Sequence, residues 1–215
     1  MKLPRRLAAL VAAGATITAI GIGAAPAANA ATAPTGTKSL AAVLLADKHG
    51  FDHNPYDYDI VTAAVLAVLK AKPSSPVKVL TDGTVPLTAF LPNDRAFRLL
   101  VHQLTGKWVA DEKDVFAAVA GLGIDTVEQV LLYHVVVGAT ITAADAVKAN
   151  GAVLTTAQGG TLTVHVYHWR TGPSVRIFDT TPGNWDPRVV RYDINPGNLQ
   201  IAHGINRVLL PGSAS

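Results

Sequence analysis

The first two thirds of the chain carry apolar residues at helical spacing. Apolar runs follow Ser39 and Asp59, and these residues are predicted to cap helices that extend to Ala46 and Lys70. The polar segment between them, 48–58, is predicted to be a loop. Further helices are predicted to begin at Pro92, Asp111, Asp125 and Thr142. The last two start with an acidic residue three positions after the cap, which is the spacing of a capping box.

Strand-like patterns occur once within this helical part and several times after it. Val77–Leu80 and Val85–Leu91 are predicted to be strands on either side of a turn at Asp82-Gly83. Thr161–Tyr167 alternates apolar and polar residues with period two. Further strands are predicted at Val175–Phe178, Val189–Tyr192 and Arg207–Leu210. Helices first and strands afterwards predict an α+β domain.

The first thirty residues have the composition of an export signal. Three basic residues precede an apolar run over 7–25, and Ala28-Asn29-Ala30 has the small residues of a cleavage site. The sequence therefore predicts a signal peptide over 1–30, a flexible leader over 31–38, one domain over 39–212, and a secreted or cell-surface protein. Retention of the apolar run as a membrane anchor is the alternative, because the run is long enough to span a bilayer.

Removal of the signal segment changes the charge of the chain. The sequence has 18 basic and 15 acidic residues, and loss of the three basic residues of the signal leaves 15 of each. A nearly neutral chain lacks the basic face that nucleic-acid binding requires. The chain contains no Cys, which excludes thiol catalysis and thiolate metal sites, so the hydrophobic core alone must stabilise the fold.

Three motifs follow one another along the chain. They are Thr88-Ala-Phe-Leu-Pro-Asn-Asp-Arg-Ala-Phe97, Leu131-Leu-Tyr-His-Val135 and Ile201-Ala-His-Gly-Ile-Asn-Arg-Val-Leu-Leu-Pro211. Their residues, order and spacing resemble the fasciclin domain family. The resemblance covers 39–211 and implies a twisted β-wedge or sandwich with several helices packed along one edge. It also implies a binding and adhesion module rather than a particular reaction.

Within these motifs the resemblance implies structural roles for six residues. They are Thr88, Phe90, Pro92, Phe97, His203 and Asn206. Asn206 stands where the family often has Asp, which removes a charge and keeps the hydrogen-bonding geometry. Leu91 and Arg95 also depart from the common pattern, which has Ala and an acidic residue at those positions.

The Tyr-His pair of the central motif is associated with adhesion in the family, so Tyr133 and His134 are predicted binding residues. The residues themselves favour a different role, because His134 has apolar neighbours. A histidine in such surroundings is more often a core residue with satisfied hydrogen bonds. A core His134 is expected to pair with His203 or with Thr88.

The segment from Tyr167 to Asn198 is longer than the compact hairpins expected of the family. It contains Trp169, Trp185 and Tyr192 together with four Arg residues. Exposed aromatic and Arg side chains are enriched at interface anchors, and aromatic rings stack on sugars. These three aromatic residues are therefore predicted binding residues. The alternative is that the aromatic and charged side chains only cover and protect the edge of a sheet.

Two clusters bear on metal binding. The oxygen-rich segment Asp52–Asp59 offers ligands for a hard cation such as Ca²⁺, but its spacing is not that of an EF-hand. Solvated turn residues with a helix cap at Asp59 are the favoured interpretation. His165 and His168 are expected to point to opposite faces of a strand, which disfavours joint zinc binding. The sequence predicts no metal site and no cofactor.

The leading functional hypothesis is a secreted, non-enzymatic binding or adhesion module. Its partner would be a protein or glycan at the cell surface or in the extracellular matrix, with no nucleic acid and no stable membrane insertion once the signal is cleaved. The alternatives are an extracellular small-molecule carrier and a secreted carbohydrate hydrolase. The sequence has no G-x-S-x-G, H-E-x-x-H or phosphate-binding loop, so an enzyme is the weakest of the three.

Overall fold

The computed structural model describes residues 34–47, 50–181 and 185–212. The predicted signal peptide and the first three leader residues lie outside these ranges. By internal contacts the chain divides into 1–32 and 33–215, and all described residues belong to the second unit. Within them, no single helix is long and apolar enough to cross a membrane. Only the consecutive helices Glu112–Ala120 and Ile124–Tyr133, bent by 103° at their junction, reach that length and composition together.

The described part of the chain contains six α-helices and one 3₁₀ helix. The α-helices are α1 Leu40–Leu44, α2 Asp59–Ala71, α3 Asp94–Thr105, α4 Glu112–Ala120, α5 Ile124–Tyr133 and α6 Ala143–Ala146. The ends of α3 follow directly from its sequence. Asn93 Oδ1 accepts a hydrogen bond from Ala96 N at 3.0 Å, and Gly106 ends the helix with a left-handed φ of 72°.

The strands form two sheets. They are β1 Leu87–Pro92, β2 Val135–Val137, β3 Val153–Thr155, β4 Thr161–Trp169, β5 Gly172–Phe178, β6 Val189–Ile194 and β7 Gln200–Ile205. The first sheet has the order β2-β1-β7-β6, and the second has the order β3-β4-β5. β1 and β7 are parallel, and the remaining pairs are antiparallel. The α+β class predicted from the sequence is confirmed.

The four-stranded sheet separates two hydrophobic cores. Along β1, Leu87, Ala89 and Leu91 face a core shared with the helices, whereas Phe90 faces a second core shared with the three-stranded sheet. This alternation follows from the period of two along a strand. All residues of the two central strands are buried because both of their faces are covered. The result is a two-sheet wedge with helices on one side.

The predicted strand at Val77–Leu80 is wrong. These residues lie in the 3₁₀ helix Pro76–Thr81. Pro76 fixes the backbone for a helical first turn, and Ser75 Oγ accepts a hydrogen bond from Val77 N at 3.2 Å. The apolar side chains Val77 and Leu80 are still buried, so the pattern correctly predicted burial but not the backbone conformation.

The predicted strand at Arg207–Leu210 is also wrong, because the strand of the closing motif is β7, which ends at Ile205. Beyond β7 the backbone donors bind side chains instead of a neighbouring strand. Leu209 N donates to His134 Nε2 and Leu210 N donates to Asp179 Oδ2, both at 3.0 Å. These bonds attach the end of the closing motif to other parts of the wedge.

Of the two predicted capping boxes, one is confirmed. Thr142 and Asp145 exchange side-chain hydrogen bonds with each other's backbone at the start of α6. The box at Asp125 is wrong, because α5 begins after Gly123, whose φ is 93°. Asp125 and Glu128 both contact the ammonium group of Lys72, so the two acidic residues connect α5 to the end of α2 rather than capping a helix.

The segment before α1 is paired with the turn before β7. Gly36 N donates to Gly197 O at 2.9 Å, and Leu199 N donates to Gly36 O at 2.8 Å. The side chain of Asn198 accepts a further bond from Lys38 N at 2.9 Å. These contacts were not anticipated by the prediction of a flexible leader over 31–38. The backbone groups of 35–38 find partners because Gly36 forms a parallel bridge with Asn198.

Candidate functional site

Tyr133 is a core residue at the end of α5. It is 1% exposed and packs in the core between the two sheets. Its hydroxyl donates a hydrogen bond to Thr161 O at 2.9 Å. The structure therefore does not support the predicted binding role of Tyr133, because the ring and the hydroxyl are both out of reach of a partner.

His134 is also buried, and both of its ring nitrogens bind the backbone. Nδ1 lies 2.7 Å from Val130 O, and Nε2 lies 3.0 Å from Leu209 N. A carbonyl requires a donor and an N–H requires an acceptor, so these partners assign a neutral ring with its proton on Nδ1. Burial lowers the pKa of His134 to about 4. The expected partners His203 and Thr88 are not those observed, and a binding role for His134 is not supported.

Thr88 and His203 together fix the loop after β2. Thr88 Oγ1 donates to Ala139 O and accepts from Ile141 N, both at 2.8 Å. His203 Nε2 donates to Ile141 O at 2.8 Å, and its Nδ1 accepts from Asp193 N at 3.3 Å. Burial lowers the pKa of His203. Both side chains are therefore bonded to the backbone of this loop.

The other motif residues are structural as well. Phe90 and Phe97 are buried in different cores, and Pro92 is buried at the end of β1. Asn206 Oδ1 accepts a hydrogen bond from Arg188 N at 2.7 Å, and Asn206 N donates to Arg188 O at 3.2 Å. Asn206 thus fixes the start of β6 without the charge that an Asp would bring.

A groove lies where β5 and β6 separate. Arg176 and Arg188 form an isolated antiparallel bridge, but β6 then pairs with β7 in the other sheet. The space that opens between the strands has a volume of about 460 Å³. Its lining residues are Trp169, Thr171, Gly172, Pro173, Ser174, Arg188, Val189, Val190 and Tyr192. Trp169 is 66% exposed and lies at the tip of the β4–β5 hairpin.

The three aromatic residues predicted to bind a partner are not all in this groove. Trp169 and Tyr192 line it, whereas Trp185 is exposed but is not among the described lining residues. Tyr192 is half-buried, and its hydroxyl accepts a hydrogen bond from Val175 N at 3.3 Å. Tyr192 is therefore a fixed wall of the groove, and Trp169 is its exposed aromatic residue.

The paired histidines of β4 do not form a site. The strand continues to Trp169, so His165 and His168 project from opposite faces, as predicted. The ring of His165 packs against Phe178 with centroids 4.1 Å apart. His168 is exposed.

Four carboxylates meet at the starts of three helices. Asp59, Asp94 and Glu112 are the first residues of α2, α3 and α4, and one carboxylate oxygen of each lies within 4.8 Å of the others. All three residues are buried. Asp57 belongs to a second such group that also includes Asp59. We call Asp57, Asp59, Asp94 and Glu112 the acidic cluster.

Two members of the acidic cluster have clear partners. The oxygens of Asp94 accept the first two backbone N–H groups of α2, at 3.3 and 3.0 Å. Glu112 Oε1 accepts from Arg98 Nη2 at 2.9 Å, and Oε2 accepts from His53 N at 3.0 Å. By contrast, Asp59 Oδ2 is buried without a hydrogen-bond donor among the described residues, and the same holds for Asp57 Oδ1.

The surroundings of the acidic cluster disfavour negative charge. Burial raises the pKa of Asp94 to about 8, and a hydrogen bond with Asp57 adds to the rise. Burial also raises the pKa of Asp59 to about 6, with the charge of Asp57 as the next cause. The pKa of Asp57 is itself raised by burial.

The sequence predicts only part of this cluster. The oxygen-rich segment Asp52–Asp59 is evident in it, but Asp94 and Glu112 are not, because the meeting of three helix starts depends on tertiary packing. One feature of the sequence points to Asp94 and Glu112, because each directly follows a helix-capping residue, Asn93 or Asp111.

Asp52 itself is exposed, and its Oδ1 accepts a hydrogen bond from Asn54 N at 2.9 Å, which agrees with the predicted solvated turn. The predicted helix cap at Asp59 is wrong, because Tyr58 is the capping residue of α2 and no side chain bonds the start of the helix from that position.

A second groove is formed mainly by helices. It has a volume of about 250 Å³ and an almost wholly apolar lining that includes Phe97, Leu100, Leu131 and Val208. Leu104 and Leu122 also line it and are exposed. His134 contributes to the wall, but both of its nitrogens are already bonded to the backbone.

Comparison with known proteins relates this chain to one family. A model of the fasciclin domain matches residues 62–211. A solved fasciclin domain pair from the insect cell adhesion molecule Fasciclin I is similar at 16% identity and a TM-score of 0.43; the match covers 71% of this chain and 43% of that chain. No curated protein matches the sequence. Because the match to the fasciclin domain model spans more than half of this chain, the chain belongs to the fasciclin domain family.

Proposed function

We propose that this protein is an extracellular, non-enzymatic binding module of the adhesion type and that its partner is a glycan bound in the groove between β5 and β6. Fasciclin domains are adhesion-related modules that typically act outside the cell or at its surface. The observation that carries the proposal is the groove with the exposed ring of Trp169 beside it.

The shape of the groove is set by the fold. The two strands separate because β6 joins the other sheet, so the groove does not depend on a flexible loop. The bond from Val175 N to Tyr192 Oη, at 3.3 Å, fixes one wall. A wall that is already ordered loses little conformational entropy on binding, which favours a specific ligand over a transient contact.

The chemistry of the groove suits a sugar. Trp169 and Tyr192 offer ring faces and edges, and Thr171, Ser174 and Arg188 offer hydroxyl and guanidinium donors. A pyranose ring requires both an apolar surface and several hydrogen bonds. A protein partner would instead be expected to bury a larger and more continuous apolar core.

The groove also favours binding without turnover. Glycoside hydrolysis ordinarily requires two carboxyl groups that flank the scissile bond. Among the described residues that line the groove, none carries a carboxylate. The acidic cluster lies elsewhere, at the starts of α2, α3 and α4.

The test is a binding screen of the purified protein against cell-wall glycans, matrix polysaccharides and matrix proteins, with a heat-denatured control. We expect saturable binding to a glycan by the folded protein. The variant Trp169→Ala is expected to weaken this binding by at least about tenfold, the size of an interface anchor, with an unchanged melting temperature.

The matched control is Trp108→Ala. Trp108 is 68% exposed, nearly the same as Trp169, but it stacks on His102 with centroids 4.0 Å apart and does not line the groove. We expect Trp108→Ala to bind like the wild type. Equal losses in both variants, or glycan binding that survives Trp169→Ala, would contradict the proposed site. Binding only to proteins would replace the glycan with a protein partner.

The helical groove supports a second candidate, a carrier of a small apolar molecule. Its lining is almost wholly apolar and its mouth is flanked by the exposed Leu104 and Leu122. Saturable binding of a fluorescent apolar probe would reveal a binding site in this groove. Leu100→Trp, which adds volume inside the groove, should reduce probe binding without affecting any glycan binding.

A further inference from the structure

We propose that the acidic cluster of Asp57, Asp59, Asp94 and Glu112 binds a divalent cation with a preference for oxygen ligands, and that Ca²⁺ fits it best. The site does not depend on the proposed glycan groove, because the described residues of the cluster and of the groove have no member in common.

The unpartnered carboxylate of Asp59 is the observation that requires an explanation. Acidic residues are favourable at helix N-termini because of the helix dipole, and this accounts for Asp94, which accepts two N–H groups from α2. It does not account for Asp59. This residue is 8% exposed, yet its Oδ2 has no hydrogen-bond donor within the described ranges. A buried, unsatisfied carboxylate oxygen is costly unless something binds it.

Asp59 is the residue that two groups of carboxylates share. Asp59 belongs to both three-carboxylate groups, one with Asp94 and Glu112 and one with Asp57 and Asp52. In each group the ligand oxygens lie within 4.8 Å of one another. Three oxygens at the corners of an equilateral triangle with sides of 4.8 Å, the upper limit for these atoms, would lie about 2.8 Å from its centre, slightly more than the Ca²⁺–oxygen distance of about 2.3–2.6 Å. A small contraction would therefore complete the contacts.

The local charge favours a cation. Four carboxylates lie together, and Arg98 is bonded to only one of them, Glu112. This bond from Arg98 does not neutralise the charge of Asp59. The Nε of Arg98 is buried and has no hydrogen-bond partner among the described residues. Asp94 and Asp57 share a proton at neutral pH. A divalent ion would therefore offset the repulsion between Asp57 and Asp59 and provide a partner for the unpaired oxygen of each.

The donor set identifies the class of metal. All of the candidate ligands are carboxylate oxygens, with neither thiolate nor imidazole among them, which disfavours zinc and the softer transition metals. Ca²⁺ accepts irregular sets of six to eight oxygens at long distances. Mg²⁺ requires near-octahedral geometry at about 2.0–2.1 Å, which these oxygens would reach only after a larger contraction.

A surface groove borders the cluster. It has a volume of about 320 Å³ and is lined by Asp47, Tyr58 and Asp59 among others. A cation in this groove would lie next to Asp59, whose Oδ2 is itself buried.

The experiment uses metal-stripped protein and Ca²⁺ or Mg²⁺ as the probe. Calorimetric titration should give one saturable Ca²⁺ site, and the melting temperature should rise with Ca²⁺ concentration, because a ligand that binds only the folded state stabilises it. Mg²⁺ should bind more weakly. Asp59→Asn should weaken Ca²⁺ binding by at least about tenfold and abolish the rise in melting temperature.

The matched control is Asp145→Asn, which makes the same chemical change in the capping box of α6, away from the cluster. It should retain the full Ca²⁺ response. If Asp59→Asn fails to fold, Asp57→Asn, which alters a half-buried residue of the preceding loop, should fold and show weakened Ca²⁺ binding.

Two results would overturn the proposal. One is the absence of Ca²⁺ binding at millimolar concentration. The other is an equal Ca²⁺ response in wild type and Asp59→Asn, which would place the ion elsewhere.

Discussion

The central motif and the hairpin groove use similar side chains in opposite ways. In the central motif, the polar atoms of Tyr133 and His134 bind fixed backbone groups, and both rings are buried. At the hairpin tip, the ring of Trp169 lies beside a space where two strands have separated. The contrast shows that the residue type alone does not identify a binding surface. What decides is whether the neighbouring elements close over the side chain.

The largest expected effect comes from removing the buried pair. Tyr133→Ala combined with His134→Ala should lower the free energy of unfolding by about 3–5 kcal/mol, the cost of truncating a buried aromatic side chain. It would also leave Leu209 N without its acceptor. Urea unfolding followed by tryptophan fluorescence measures the loss. An unchanged unfolding midpoint with lost binding would reverse the comparison and make the pair an interface.

The second largest expected effect is a dependence of the free energy of unfolding on pH. Burial lowers the pKa of His134 to about 4 from an ordinary value of 6.5, so the folded state binds fewer protons than the unfolded chain between these values. Stability from this group is therefore present above pH 6.5 and is lost as the pH falls towards 4, by about 3 kcal/mol in total. His203, whose pKa is also lowered, adds a loss of the same sign.

A difference measurement isolates the histidine, because carboxyl groups with raised pKa act in the opposite direction over this range. His134→Gln offers one donor and one acceptor and does not titrate. Unfolding midpoints at pH 7, 5.5 and 4 should converge between wild type and His134→Gln as the pH falls. A constant difference across the range would show that His134 is not held neutral.

The smallest stability effect is expected at the groove. Trp169→Ala should change the free energy of unfolding by no more than about 0.5 kcal/mol, as is usual for exposed positions. Thermal unfolding measured alongside Trp108→Ala would check this. A loss above about 2 kcal/mol would mean that Trp169 packs as a structural residue, and the contrast between the two regions would disappear.

The sequence predicted some of the local features and missed the tertiary ones. The cap at Ser39 and the capping box at Thr142 depend on neighbouring residues, so they can be read from the sequence. The hydrogen bond between His134 and Leu209 could not be predicted, because Leu209 lies far along the chain and its N–H is available only where the backbone leaves the sheet after β7.

The candidate sites show the same division. Trp169 and Tyr192 were predicted as binding residues from composition, but their grouping without Trp185 depends on where β5 and β6 separate. Asp59 was predicted as part of an oxygen-rich segment. Its carboxylate lies near those of Asp94 and Glu112 because three helices start at one place. The spacing of these residues along the sequence does not predict that they are close in the fold.

The parallel pairing of β1 with β7 has a consequence for the order of folding. Leu87 pairs with Gln200 and Pro92 with Ile205, so the two middle strands of the four-stranded sheet come from distant parts of the chain. Closing so long a loop has an entropic cost that must be met before the contacts form. A nascent chain that stops short of residue 200 has no central partner for β1. The domain should therefore complete its fold only after nearly all of its described residues have been synthesised.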